Sequence, residues 1–482
     1  MRFEFPLALA AVLVISASAC SKNEPETVTQ SADAGADPVA EAPDMAPNPF
    51  LEESELYFSF PRFDRIADEH YAPAFELGMA EHMAEIEAIA GQEEAPTLDN
   101  TVIPLERSGA MLDRVSRVFF AMASAHTNDV IEEVRSEMAP KLSAHRDRIL
   151  LNEDLFARVK ALYDQRDSME LDPESYRLIG EYYKDFVRAG ALLSGEDKET
   201  LKALNAELAS RQTSFSQNVL NEVNELAIVV DSVEELAGLS EEAIAAAKLA
   251  AEEREMPGKY VLPLLNTSGQ PSLSSLENRA LRQRIHETSL SRGSRGGEFD
   301  NRENLTRIAR IRAERAQLLG YEDHAHYGLE RTTAGTREAV NERLASLAPA
   351  AVANARREEA DLQDMVDSEG GNFELASWDW DYYTEKVRKA RYDFDASQLR
   401  PYFELDSVLN NGVFFAAEKV YGLTFKERTD EFPVYQEDVR VWEVFDADGS
   451  TLAMFIGDFY ARSSKRGGAW MNAYVSQSNL LG

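Results

Sequence analysis

Residues 71–91 read YAPAFELGMAEHMAEIEAIAG, and this segment carries the pattern of an amphipathic helix. Glutamates at Glu76, Glu81 and Glu85 lie between apolar side chains that recur every three or four residues. Those apolar residues are Phe75, Met79, Met83, Ile86 and Ala90. This spacing predicts an α-helix with one buried side and one exposed side, and Gly91 marks its end.

The same periodicity recurs along most of the chain, so the predicted fold class is mainly α. A second helix carries Leu112, Val115, Phe119 and Met122 on one face. Further helices are predicted over 126–148, 153–166, 171–193, 196–224, 273–292, 301–319, 336–367 and 405–421.

Short β elements are predicted at two places. Leu226–Val230 and Lys259–Leu265 are apolar runs that we expect to pair as a small ribbon. Near the end of the chain, Val439–Phe445 and Leu452–Tyr460 alternate on either side of a glycine turn, which predicts a hairpin. With a third strand expected to begin near Gly468, these segments would form a small antiparallel sheet.

The first residues have the features of an export signal. Arg2 precedes an apolar run, Leu7–Ile15, that is too short to span a bilayer. Small residues then lead to Cys20, the only cysteine of the chain, in an order similar to the lipobox of bacterial lipoproteins. We therefore predict a signal peptide at residues 1–19 and a lipid anchor at Cys20, with an ordinary secretory signal as the alternative.

Residues 20–50 are rich in Ser, Glu, Pro, Ala, Asp and Thr and contain few large apolar groups. Such a segment cannot bury enough surface to fold, so it is predicted to be a disordered tether. The residue directly after the cysteine is Ser21 and not an aspartate. By resemblance to bacterial lipoprotein sorting, this favours the outer membrane, facing the periplasm.

The composition restricts the class of partner. Of the 482 residues, 85 are acidic and 50 are basic, which gives a formal net charge of −35. A surface of this sign repels phosphates, so binding to nucleic acid is not expected. A single cysteine also leaves no pair for a disulfide.

The seven histidines do not show the spacing of a zinc site. His286-Glu287 begins the pattern His-Glu-x-x-His, but Leu290 occupies the place of the second histidine. His324 and His326 are two residues apart, which does not align two ligands on one helix face. We interpret them as ordinary core or surface residues and assign no metal ligand and no catalytic residue.

Other short motifs favour structural roles. Asp446–Gly449 resembles the start of a calcium loop but lacks its remaining carboxylates, so a hairpin turn is favoured. Gly293–Gly297 lacks the preceding strand and the Lys-Ser/Thr pair of a phosphate-binding loop. A group of aromatic residues is interpreted as core packing, at Trp378, Trp380, Tyr382 and Tyr383.

Eight longer segments carry a more specific signal. They lie at 70–89, 95–115, 276–305, 312–330, 378–395, 399–425, 432–462 and 465–471, the last reading KRGGAWM. In this order they resemble the thimet oligopeptidase family of zinc metallopeptidases, in its peptidyl-dipeptidase branch. The resemblance covers about residues 60–481.

The resemblance implies a two-lobed, mostly helical fold around a deep channel. Residues 51–375 would form a helical N-terminal lobe, and residues 376–482 the start of a catalytic lobe. The family's Zn²⁺ is held by His-Glu-x-x-His and a further Glu, and activates the water that attacks the scissile carbonyl. In the family this motif lies beyond the segment similar to KRGGAWM, so the C-terminal catalytic part is expected to be missing here.

One site of the family can be carried over to this chain. A glycine-alanine segment of the family lines the channel and pairs with the backbone of the bound peptide. Its counterparts here are Gly467, Gly468, Ala469 and Trp470. Small residues let another backbone approach closely, and an exposed edge offers it hydrogen bonds. A structural bend before a buried tryptophan is the alternative, and Arg462 and Lys465 are candidates for contacts at the rim.

We therefore expect a lipid-anchored zinc peptidyl-dipeptidase that removes dipeptides from the C-termini of oligopeptides and is monomeric when intact. This chain is expected to be an inactive fragment of it. The alternative is a non-catalytic, surface-tethered helical lipoprotein that binds peptides or a protein. As a fragment, the chain should expose apolar side chains that the missing part would cover, at Phe414, Phe415 and Val420.

Overall fold

Helices form most of the computed structural model, which describes residues 48–264, 269–393 and 396–480. The helices expected from the sequence are present, and their ends differ from the prediction by a few residues. They are α1 Tyr71–Ala90, α2 Ile103–Arg107, α3 Ala110–Ala125, α4 Asp129–Leu150, α5 Glu153–Gln165, α6 Pro173–Arg188, α7 Gly195–Glu225, α8 Glu241–Glu253, α9 Arg279–Leu290, α10 Arg302–Leu318, α11 His324–Leu329, α12 Arg337–Ser368, α13 Trp380–Tyr392, α14 Leu405–Ser407 and α15 Phe415–Tyr421. None of these described helices is long and apolar enough to cross a membrane.

Two parts of the predicted organisation remain predictions. The signal peptide at residues 1–19, Cys20 and nearly all of the tether at 20–50 lie outside the described residues. The described residues all fall within one compact unit, residues 47–482. The division into two lobes at residues 375 and 376 therefore stays a prediction.

Polar side chains fix where several helices begin. The side-chain oxygen of Asn128 accepts a hydrogen bond from the backbone N–H of Ile131 at the start of α4. Asn152 does the same for Leu155 at the start of α5, and Ser194 for Asp197 at the start of α7. Each cap satisfies a backbone donor that has no partner inside its own helix, and is worth about 1 kcal/mol.

The contact between α1 and α3 forms a central part of the core. Phe75 and Phe119 are fully buried and pack edge to face, with ring centroids 5.1 Å apart. A Cβ on Gly78 would lie 3.1 Å from the Cα of Leu112, so glycine permits this close approach of the two helices. The predicted apolar face of α1 is confirmed by four buried side chains, at Phe75, Met79, Met83 and Ile86.

Two antiparallel sheets accompany the helices. The predicted ribbon is confirmed, because β1 (Ile228–Val230) pairs with β2 (Tyr260–Leu262). The predicted hairpin is also confirmed, as β4 (Arg440–Phe445) paired with β5 (Thr451–Gly457). The third strand is β3 (Thr424–Glu427), which pairs with the other edge of β4.

The prediction of a strand beginning near Gly468 is wrong. Residues 467–470 have irregular backbone and pair with no strand in the described part of the chain. Gly468 has φ = 97°, in the left-handed region that an extended strand does not use. Residues 467–470 therefore do not add a strand to this sheet.

The hairpin turn agrees with the interpretation of Asp446–Gly449 as structural. The N–H of Gly449 donates to the carbonyl of Asp446 at 2.9 Å, and the N–H of Asp446 donates to the carbonyl of Ser450 at 2.8 Å. The hydroxyl of Ser450 donates to the carboxylate of Asp448 at 2.6 Å. Gly449 has φ = 85°, the conformation for which a turn selects glycine.

A buried ion cluster joins α9 to the start of α13. Asp379 is fully buried, and its carboxylate accepts hydrogen bonds from Arg279 at 2.7 Å and from Arg282 at 2.8 Å. Arg282 is 1 % exposed and also donates to the carbonyls of Leu276 and Glu277. Burial raises the pKa of Asp379, but the hydrogen bonds from both arginines lower that pKa by more, so the carboxylate stays ionised.

The helix predicted over 405–421 is continuous, with a wider π-helical turn at Val408–Phe414 between α14 and α15. Exposure of Phe415 and Val420 is confirmed. Exposure of Phe414 is wrong, because its ring stacks on Phe425 of β3 at 4.1 Å and is buried. The sheet therefore covers one side of this helix and leaves the other side open.

Candidate functional site

The histidines of the described residues do not gather into a metal site. No three His, Cys, Asp or Glu side chains in that part of the chain are placed to hold an ion. His286 lies on α9 with its Nε2 buried and without a hydrogen-bond partner, and its ring faces Trp378 at 6.4 Å. His326 on α11 is within 3.0 Å of the Asp323 carboxylate. The described residues therefore do not fit the zinc site of the family.

One pair of histidines was not foreseen from the sequence. His82 on α1 and His145 on α4 approach to 3.0 Å between Nδ1 and Nε2, and the Ser108 hydroxyl lies 3.3 Å from the other nitrogen of His82. The hydroxyl donates to the carbonyl of Leu105 at 2.8 Å. Because its proton is directed to that carbonyl, Ser108 is not activated as a nucleophile, and the group ties helices together.

The segment before the predicted peptide-binding residues is fixed to the end of α3. The N–H of Arg466 donates to the carbonyl of Ser124, and the N–H of Thr127 donates to the carbonyl of Ser464, both at 2.8 Å. Arg462 also donates to the carbonyl of Ala125. These bonds join two parts of the chain that are far apart in sequence, and they place the following residues beside α3.

Asp458 at the end of β5 holds the same segment from the other side. Its carboxylate accepts hydrogen bonds from Arg462 at 2.7 Å, from Lys465 at 2.9 Å and from the Tyr435 hydroxyl at 2.9 Å. Burial raises the pKa of Asp458, but these hydrogen bonds lower it to about 2. Arg462 and Lys465, predicted as contacts at a rim, are instead largely enclosed partners of this carboxylate.

A cavity of about 370 Å³ lies between α3 and residues 470–473. Trp470 contributes to its wall, and the Arg466 guanidinium lies 4.9 Å from the centroid of the Trp470 ring. On the α3 side, the exposed ring of Phe120 faces the cavity together with Arg117. The remaining lining residues are Ser116, Ala121, Ser124, Asn472 and Ala473.

The backbone next to this cavity is free. Gly467, Gly468 and Ala469 are exposed, and their N–H and C=O groups make no hydrogen bond to any described residue. No atom lies within 4 Å of the place where a Cβ on Gly468 would be. We call this backbone and the adjoining cavity the α3 cleft. It can accept an extended peptide on the backbone and one of its side chains in the cavity.

Comparison with known proteins agrees with the resemblance seen in the sequence. Residues 272–481 match the model of Peptidase family M3. The chain is 44 % identical over 433 residues to the dipeptidyl carboxypeptidase of Escherichia coli, covering 90 % of this chain and 63 % of that relative. The dipeptidyl carboxypeptidase of Salmonella typhimurium is 43 % identical, with 90 % and 64 % covered.

More distant relatives lie in the same group. The oligopeptidase A of Salmonella typhimurium is 31 % identical, covering 89 % of this chain and 63 % of the relative. The resemblance to the thimet oligopeptidase family and to its peptidyl-dipeptidase branch is thereby confirmed. In each of these comparisons the chain spans less than two thirds of the relative's length.

Proposed function

We propose that this chain is the peptide-binding part of a zinc peptidyl-dipeptidase that removes dipeptides from the C-termini of oligopeptides. The observation that carries this proposal is the identity of 44 % with a dipeptidyl carboxypeptidase over 90 % of the chain. The α3 cleft supports it, because a free backbone beside a cavity suits an extended peptide and not a folded protein.

The α3 cleft would bind the main chain of a peptide and one of its side chains through different groups. The free N–H and C=O groups of Gly467 to Ala469, which form an irregular loop and not a strand, would bind the peptide main chain by separate hydrogen bonds and without selecting its sequence. Phe120 and Trp470 would contact one side chain in the cavity, and an apolar or aromatic group suits their rings. Hydrogen bonding to the backbone alone would let one site bind oligopeptides of different sequence.

Hydrolysis needs groups that the described residues do not assemble. In the family Zn²⁺ supplies the activated water. The sequence contains no His-Glu-x-x-His, so we propose that the 482-residue chain binds peptides without cutting them. A second candidate is a non-catalytic lipoprotein that binds peptides or a protein. The absence of His-Glu-x-x-His favours it if the chain acts alone.

We predict that the chain binds a blocked pentapeptide and that Gly468→Val weakens this binding at least about tenfold. A valine at φ = 97° is strained, and its methyl groups would stand where the peptide backbone must approach. The measurement is isothermal titration calorimetry, with the same pentapeptide N-methylated at its central residues as a second ligand. Loss of the peptide N–H groups should weaken binding as the valine does.

The matched control is Gly449→Val in the hairpin turn. Gly449 also has positive φ and open space at its Cβ position, so the variant has similar local strain but leaves the α3 cleft unchanged. Equal affinity for the methylated and unmethylated peptides would contradict backbone pairing. Release of a dipeptide that a zinc chelator abolishes would contradict the proposal that this chain does not cut.

We also propose that the chain is exported and held at the outer membrane by a lipid on Cys20. The support is the order of the first residues, an apolar run followed by small residues and a lone cysteine. Mass spectrometry of the N-terminal peptide from cells should show a mature chain beginning with a diacylglycerol-modified Cys20. An unmodified cysteine would favour an ordinary secretory signal.

A further inference from the structure

Two arginines beside the α3 cleft have no acceptor for their guanidinium groups in the described part of the chain. Arg466 directly precedes the free backbone of residues 467–469, and its N–H holds it at the carbonyl of Ser124. Its guanidinium lies over the ring of Trp470, 4.9 Å from the centroid, at the wall of the cavity. Arg135 lies in the second turn of α4, the helix that follows α3. Neither guanidinium donates a hydrogen bond to a described residue or lies within 4.0 Å of a described carboxylate oxygen.

The other cations near this segment do have partners. Arg462 and Lys465 both pair with Asp458, and Arg117 on α3 pairs with Asp113 at 2.5 Å. Charged side chains that lose contact with water are normally paired. In a chain with 85 acidic and 50 basic residues, carboxylates are abundant. Two neighbouring arginines without one therefore mark a place that can take an anion from outside the chain.

Arg135 and Arg466 are close enough to act on each other. Burial lowers the pKa of Arg135, Glu132 one turn earlier raises it, and the positive charge of Arg466 lowers it again. Glu132 is hydrogen-bonded to Asn221 and forms no ion pair with Arg135. Arginine stays charged at neutral pH in spite of such shifts. The two guanidinium groups therefore repel each other, and a carboxylate placed between them would relieve this repulsion.

We propose that Arg135 and Arg466 form an anion subsite of the α3 cleft, which binds a carboxylate of the peptide, from an acidic side chain or from the C-terminus. The planar guanidinium suits this ligand, because it can donate two parallel hydrogen bonds to one carboxylate. Arg466 adjoins the free backbone of residues 467–469, so one peptide can reach both. The proposal rests on the peptide binding proposed above and adds a preference for negative charge, which hydrogen bonding to the backbone alone does not give.

Calorimetry with a set of N-acetylated pentapeptides tests this subsite. The reference peptide has neutral side chains and a C-terminal amide. A second peptide has the same sequence with a free C-terminal carboxylate, and a third group keeps the amide and carries one glutamate at each position in turn. We expect at least one carboxylate peptide to bind about tenfold tighter than the reference, and this ratio to fall as NaCl is added. The peptide that gains most identifies the source of the carboxylate.

The variants Arg135→Gln and Arg466→Gln should each lower this ratio of affinities towards one. Arg466→Lys keeps the charge but not the planar fork, so it should retain part of the preference. The matched control is Arg343→Gln on α12, which removes the same charge from an exposed position outside the α3 cleft and should leave the ratio unchanged.

The outcomes separate this subsite from peptide binding itself. If the wild-type chain bound the neutral and the carboxylate peptides equally, the subsite would be overturned while peptide binding at the α3 cleft would stand. If no peptide bound, both proposals would be overturned. An equal fall of the ratio in Arg343→Gln would mean that net charge alone sets the preference, and it would also overturn the subsite.

Discussion

Replacement of Asp379 by Asn is expected to lower the free energy of unfolding by about 3–5 kcal/mol. The carboxylate is fully buried and is the negative partner of both Arg279 and Arg282. Asn has the same shape and can still accept a hydrogen bond, but it leaves the charge of Arg282, 1 % exposed, without compensation. Breaking a buried ion pair from one side is costly for this reason.

Urea denaturation followed by circular dichroism measures the loss. The matched control is Asp361→Asn, which removes a carboxylate paired with Arg391 at 2.6 Å between partly exposed side chains. Because solvent screens that pair, the control should change the free energy of unfolding by less than about 1 kcal/mol. If both variants lost the same amount, the cluster between α9 and α13 would not act as a buried ion pair.

The sequence predicted those parts of the fold that depend on local pattern. An apolar period over twenty residues is present within α1 itself, so its buried face could be read directly. The third strand could not be read in this way. Its four residues, Thr424–Glu427, are too few to show alternation, and their pairing with β4 depends on a contact outside the segment.

In the candidate site, too, features within one segment were predicted and features that depend on contacts between distant segments were not. Family resemblance predicted a peptide-binding role for Gly467 to Trp470, because that signal lies in consecutive residues. The wall of the cavity on α3 was not predicted, because Phe120 and Arg117 lie far from residues 467–470 in the sequence. The pair of His82 and His145 was missed for the same reason, because 63 residues separate them and only the packing of α1 on α4 brings them together.

This histidine pair is expected to make the fold sensitive to mild acid. Burial, together with the nearby charges of His82 and Arg148, lowers the pKa of His145 from its usual 6.5 to about 4. Burial also lowers the pKa of His82, against a smaller opposite effect of Glu85. Between pH 6.5 and 4 the unfolded chain binds a proton at this position that the folded chain does not bind. The contribution of His145 to stability is therefore fully present above pH 6.5 and is lost as the pH is lowered towards 4, by about 1–2 kcal/mol once solvent screening of the pair is allowed for.

The variant His145→Gln separates this effect from the titration of carboxylates. Its amide keeps a donor for Nδ1 of His82 but takes up no proton, while every carboxylate titrates in both proteins. Urea denaturation at pH 7.5, 6.5, 5.5 and 4.5 should therefore give a difference in free energy of unfolding between wild type and variant that changes in favour of the variant as the pH falls. A difference that stays constant over this range would mean that His145 takes up its proton equally in the folded and unfolded chain, and that the hydrogen-bonded pair does not hold it neutral.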